Sequence, residues 1–193
     1  MTEMYERLGI VAVALTMVSL GTSPHPFILI LCYVIHEAGH ITVARLVGAP
    51  MKRMRAGPFS LCLSYDNSGV TYKREIIIQL GGILFNFISA ILVYALPFFK
   101  SDGATFFTVC SFSLALMNLY PVSVLDGGGA LKNVFLLILP GDVAEKASKT
   151  VSFVCAILMW LVAVYLQLIF SSNMSLFVVS VVLLIELCFS LSS

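Results

Sequence analysis

FILILCYVIHEAGHITVARLV, residues Phe27 to Val47, is an apolar segment long enough to cross a bilayer, yet two imidazoles and a carboxylate stand inside it. On a helix, residues four apart lie about 40° apart around the axis and about 6 Å apart along it. His36 and His40 can therefore bind one metal ion from a single face. Water polarised by such an ion needs a base nearby, and Glu37 follows the first histidine directly. This is the mechanical content of the H-E-x-x-H pattern of zinc hydrolases.

Composition places that pattern in a membrane protein. The chain has 193 residues, 60% hydrophobic and 11% charged, with a mean hydropathy of +1.02. Soluble domains carry about 25% charged residues. A net charge of +1 without a basic stripe gives no footprint for nucleic acid. The five cysteines, Cys32, Cys62, Cys110, Cys155 and Cys188, are scattered and lack C-x-x-C spacing. They read as small apolar residues and not as a disulfide framework or a thiolate metal site.

Working outward from Phe27 to Val47, apolar runs predict an all-α polytopic membrane protein of about six transmembrane helices. Their approximate bounds are 8–21, 27–47, 76–99, 104–120, 151–170 and 175–191. The first is short, and Glu3 and Glu6 outweigh Arg7 before it, unlike the basic start of a signal peptide. Gly21, Ser23, Pro24 and Pro26 end it, and His25 reads as a loop residue. No long linker, internal repeat or low-complexity tract divides the chain, so a single domain over residues 1–193 is expected.

Six spans put Arg7, Arg45, Lys52, Arg53, Arg55, Lys73, Arg74, Lys132, Lys146 and Lys149 on one side and Lys100 alone on the other. By the positive-inside rule both termini and the two longer loops face the cytoplasm. Counting from Phe27, His36 lies about 13 Å and His40 about 20 Å down the helix, inside the membrane in its cytoplasmic half.

A catalytic zinc has three protein ligands and one open position. Asp126 is the attractive third, in NLYPVSVLDGGGA, Asn118 to Ala130. Pro121 breaks the fourth span there, and the glycines from Gly127 to Gly129 let backbone approach closely, so the carboxylate can turn inward. A helix-capping or turn aspartate is the plainer reading of the same residue.

HEAGH at 36–40, with Asn118, Pro121, Asp126 and Gly127 following as N-x-x-P and L-D-G elements, resembles the site-2 proteases, which are intramembrane zinc metalloproteases. GGILFN, Gly81 to Asn86, is similar to that family's glycine-containing motif on the third span. The stretch HPF at 25–27 and the compact layout look most like the sporulation-type branch, which processes a membrane-tethered pro-sigma factor. Ile83 and Val124 stand where many relatives have proline, and neither position supplies a ligand. The resemblance implies one zinc ion per chain and a membrane-embedded or membrane-tethered protein substrate. It also implies control by other membrane proteins, since the chain has no room for a PDZ or other regulatory domain.

A charged group at the centre of a span costs at least about 2.5 kcal/mol, so His36, Glu37 and His40 need a compensating role. Asn86 and Asn118 suit either interhelical hydrogen bonding or substrate contact. Glu186 reads as a snorkelling glutamate near the end of the last span. With zinc present, Glu37 takes a proton from the attacking water and returns it to the leaving amine.

A helical substrate hides its carbonyls, so the peptide must unwind. Phe59, Leu61, Leu63 and Tyr65 alternate with polar or small residues, then Asp66 to Gly69 make a turn before Val70 to Lys73. This predicts a small β-hairpin in the cytoplasmic loop 51–74, whose edge can hold an extended peptide. The alternative to a protease is a non-proteolytic membrane module that binds metal or clients. The intact Glu37 favours the enzyme.

Overall fold

The computed structural model describes residues 25–49, 51–56, 61–65, 70–96, 101–170, 180–181 and 183–185. In chain order these form α1 (His25–Leu46), β1 (Met51–Ala56), β2 (Leu61–Tyr65), α2 (Tyr72–Ala95), α3 (Asp102–Leu119), α4 (Asp126–Ile138) and α5 (Gly141–Phe170). Four helices, α1, α2, α3 and α5, are long and apolar enough to cross a membrane. The expected span at 8–21 lies outside the described residues, as does most of that at 175–191, Glu186 included.

Helix ends differ from the apolar runs for identifiable reasons. α1 starts at His25, which is a helical residue and not a loop one, its ring 4.3 Å from that of Phe106. It closes on Gly48, whose φ of +68° allows the Gly48 N–H to reach Arg45 O at 3.1 Å and the Ala49 N–H to reach Ala44 O at 2.9 Å. That pair of bonds is a Schellman cap. α2 begins with Tyr72, Lys73, Arg74 and Glu75, too polar for an apolar run, and stops at Ala95 and not at the expected Phe99. Leu96 precedes Pro97 and is extended, which the proline ring enforces.

α5 extends ten residues upstream of the expected 151–170. Hydropathy marks the lipid-embedded part of a helix, whereas residues 141–150 carry Asp142, Glu145, Lys146 and Lys149, the last 3.8 Å from Glu145 one turn earlier. That exposed pair contributes well under about 1 kcal/mol. Helix α4 is absent from the sequence expectation, which read its glycines only as points of close backbone approach. Each glycine costs a helix about 1 kcal/mol. Here the bare Gly127 and Gly128 let the helix start press on the backbone of Leu119 to Val122, where a Cβ would collide.

β1 pairs antiparallel with β2, with Met51 opposite Tyr65, Met54 opposite Leu63 and Ala56 opposite Leu61, and an irregularity between Met51 and Arg53. The expected pairing of 59–65 with 70–73 is thus corrected. Lys73 belongs to α2, and the alternating stretch takes its partner from upstream. MKRMRA has no period of two, so its pairing, not its pattern, makes it a strand.

The chain divides into two compact units, 1–117 and 118–193. In the first, α1 packs along α2. Gly39 meets the backbone of Gly81, whose oxygen would stand 2.6 Å from a Cβ at position 39. Ala44, Ala49 and Ile78 form a small core with Val43, Val47 and Val70. Ser111 of α3 donates through Oγ to Cys32 Sγ at 3.2 Å, and Phe87 and Phe112 rings sit 5.4 Å apart. In the second unit Val122, Leu125, Ala156 and Leu183 cluster, and Tyr120 Oη donates to Cys155 O at 3.0 Å. Outward residues such as Val34, Ile91, Leu158 and Val162 are large, apolar and exposed, as a lipid-facing surface requires.

Gly48→Ala forces a side chain into the left-handed region, at a cost of about 1–2 kcal/mol. Thermal unfolding of the protein in detergent should show a midpoint lowered by about 2–4 °C per kcal/mol, and an unchanged midpoint contradicts the cap.

Candidate metal centre

His36 and His40 stand one turn apart on α1, both buried, with Glu37 buried beside them. Their Nε2 atoms are 3.1 Å apart and the rings meet edge to face at 85°, so both present the same nitrogen to one point. Each ring is held from behind by α2. His40 Nδ1 donates to the backbone carbonyl of Ile78 at 2.8 Å. Asn86 Nδ2 lies 3.2 Å from His36 Nδ1, and Asn86 is fully buried. Metal-binding histidines ordinarily have their second nitrogen tied to such a partner, which fixes ring orientation.

Space for the two rings comes from Gly82. A Cβ there would collide with His40 Nε2 and stand 2.8 Å from His36 Cε1. Ile78, Gly82 and Asn86 recur every four residues, so α2 presents one face to the histidines at the spacing that α1 uses to present them. Sequence reasoning passed over Ile78 and took Gly82 only as part of GGILFN. The signal was a lone asparagine in an apolar span with a glycine one turn before it. One turn before His36, Cys32 adds a further polar layer with Ser111.

The other site residues expected from the sequence belong to the second unit. Asn118 is half-buried in the last turn of α3. That helix ends at Leu119, and the chain turns through Pro121 with Val122 N–H on Tyr120 O and Leu125 N–H on Val122 O, each at 2.8 Å. Asp126, also half-buried, is the first residue of α4. A carboxylate at that position faces the positive end of the helix dipole. The structure thus brings His36, His40 and Asn86 together in one unit and places Asp126 eight residues past Asn118, across a proline turn, in the other.

Comparison with known proteins adds two findings. Residues 100–162 match the model of peptidase family M50, a stretch that contains Asn118, Pro121 and Asp126 but not HEAGH. The fold is similar to that of the site-2 protease from Methanocaldococcus jannaschii, with a TM-score of 0.70 and 20% identity over 95% of this chain and 86% of that one. No curated protein matches the sequence significantly.

Gly82→Ala should lower zinc affinity more than about tenfold while helix content stays constant, because the methyl group displaces His40 Nε2. Chelator competition with circular dichroism checks this, and native affinity in a folded variant contradicts it.

Proposed function

We propose that this chain belongs to the site-2 protease family and is an intramembrane zinc metalloendopeptidase that hydrolyses a peptide bond within or next to a transmembrane segment of a membrane-tethered protein, a reading that the peptidase M50 match and the shared fold support. The observation that carries the reading is the pair of Nε2 atoms 3.1 Å apart on one buried helix face, next to a buried glutamate. A membrane module that only binds metal has no need of a base beside its ligand.

His36, His40 and Asp126 are the proposed ligands, a group of side chains of the kind that could hold a metal ion. Two imidazoles with one carboxylate leave a zinc ion an open fourth position. The buried rings, each tied at Nδ1, and the space left by Gly82 fit that role. When bound, zinc supplies a Lewis acid that lowers the pKa of water and polarises the scissile carbonyl. Glu37 accepts the proton of the attacking water and delivers it to the leaving amine. Asn118 contacts the substrate in this reading, whereas the contact of Asn86 with His36 favours a structural use of that amide over substrate binding.

The substrate must be unwound before attack. Of the two-stranded β1–β2 sheet, one edge pairs with the unwound peptide and presents it extended. We take residues 1–193 to act as one protease domain with both termini and the opening of the site in the cytoplasm, as the basic residues favour. A pro-transcription factor is a fitting substrate, and neighbouring membrane proteins would control access.

Glu37→Gln should keep zinc and reduce cleavage of a co-expressed membrane-tethered substrate by about 10²–10⁴-fold, whereas Asp126→Ala should lose zinc. Normal cleavage by the first variant removes the assigned base, and unchanged zinc in the second removes Asp126 from the ligands. A proline in β2, at a residue whose N–H points away from β1, should slow cleavage with zinc content constant. Full activity of that variant would sink the strand-pairing role.

A further inference from the structure

Asp126 is the first residue of α4, and Leu125 at the capping position gives that helix no side-chain cap. The start of α4 is therefore fixed by the turn that leads into it. Val122 N–H closes on Tyr120 O at 2.8 Å, a three-residue turn around Pro121, whose ring holds φ near the value such a turn requires. Leu125 N–H then closes on Val122 O at 2.8 Å, and the N–H groups of Gly128 and Gly129 both meet Leu125 O at 3.1 Å as α4 begins.

Both neighbours of Asp126 are seated on this same segment. Leu125 belongs to the buried cluster of Val122, Ala156 and Leu183, against which Tyr120 packs. Gly127 lies against Leu119 and Tyr120, whose carbonyl oxygens a Cβ at position 127 would strike. Asp126 thus stands between two residues that rest on Tyr120 and its surroundings.

Tyr120 is itself tied to α5. Its Oη donates to Cys155 O at 3.0 Å, across 35 positions of sequence. A carbonyl only accepts, which fixes the direction of this bond. A phenylalanine ring would fill the same place beside the cluster, so what the hydroxyl adds is the bond to α5. With Val122 clustered on Ala156, the turn is held to two consecutive residues of that helix.

We infer that Tyr120 is a positioning residue for Asp126, its hydroxyl anchoring the proline turn to α5 and so fixing where the carboxylate is presented to a metal ion. The inference rests on the ligand role proposed above for Asp126. A carboxylate oxygen ligates zinc only from about 2.0–2.2 Å, so a turn released from α5 must be reordered each time the ion is taken up.

Tyr120→Phe keeps the ring and removes the bond. Chelator competition on the full chain in detergent should show zinc bound about tenfold more weakly, the low end of what losing a hydrogen bond that supports a ligand costs. Helix content by circular dichroism should stay constant. A hydroxyl that only stabilised the fold would lower the unfolding midpoint of the metal-free chain and leave the zinc affinity of the folded chain native, and that result overturns the inference. Thr150→Val removes another hydroxyl from α5, one that donates to Lys146 O at 2.9 Å, and should bind zinc as the unsubstituted chain does. A loss there equal to that of Tyr120→Phe also overturns it. Asp126→Ala removes the ligand and not its anchor, so it should weaken zinc binding more than Tyr120→Phe. If zinc affinity survives Asp126→Ala, the ligand assignment has failed and the inference falls with it. Native affinity in Tyr120→Phe beside a weakened Asp126→Ala overturns the inference alone.

Discussion

The arrangement depends on how closely the backbones of α1 and α2 approach. Gly39 of α1 lies against Gly81 of α2 with no room for a methyl group between them. In a bilayer no hydrophobic force drives two apolar helices together, so dispersion contacts and hydrogen bonds must do so, and both require small residues at the crossing. The same close approach lets a carbonyl and an asparagine on α2 reach the far nitrogens of two histidines on α1. A glycine within HEAGH therefore sets how closely the histidines of α1 approach α2.

Polar groups in this environment are arranged in layers along the two helices. Cys32 with Ser111, His36 with Asn86, and His40 with Ile78 and Gly82 follow one another at one-turn intervals. Each imidazole is satisfied by its neighbour helix, which limits the cost of burying it where water cannot compensate. A main-chain carbonyl of α2 holds His40, whereas a side-chain amide of α2 faces His36.

Much of this was legible in the residues. HEAGH named two histidines on one face with a glutamate beside them, because helical periodicity alone puts positions i and i+4 together. Apolar runs located α1, α2, α3 and the embedded part of α5. Their ends were not legible from hydropathy, since Lys73, Arg74 and Glu75 belong to α2, and Asp142 to Lys149 to α5, although none of them belongs in lipid. The proline after Leu96 carried the correct end of α2, and the apolar run concealed it. Helix α4 was hidden by its glycines, whose intrinsic preference is overridden by the close contact they permit.

By itself, the sequence determined the membrane-spanning class, the histidine pair with its neighbouring glutamate, and the proline turn that precedes Asp126, because composition and short-range periodicity are local properties. Only the tertiary structure decided that MKRMRA pairs with LCLSY, that Asn86 lies behind His36, and that Gly82 makes the room for His40. Those are contacts between segments distant in sequence, and they depend on which face of one helix meets which face of another. HEAGH is compatible with any partner helix. The glycine crossing selects one, and with it the groups that face each imidazole from behind.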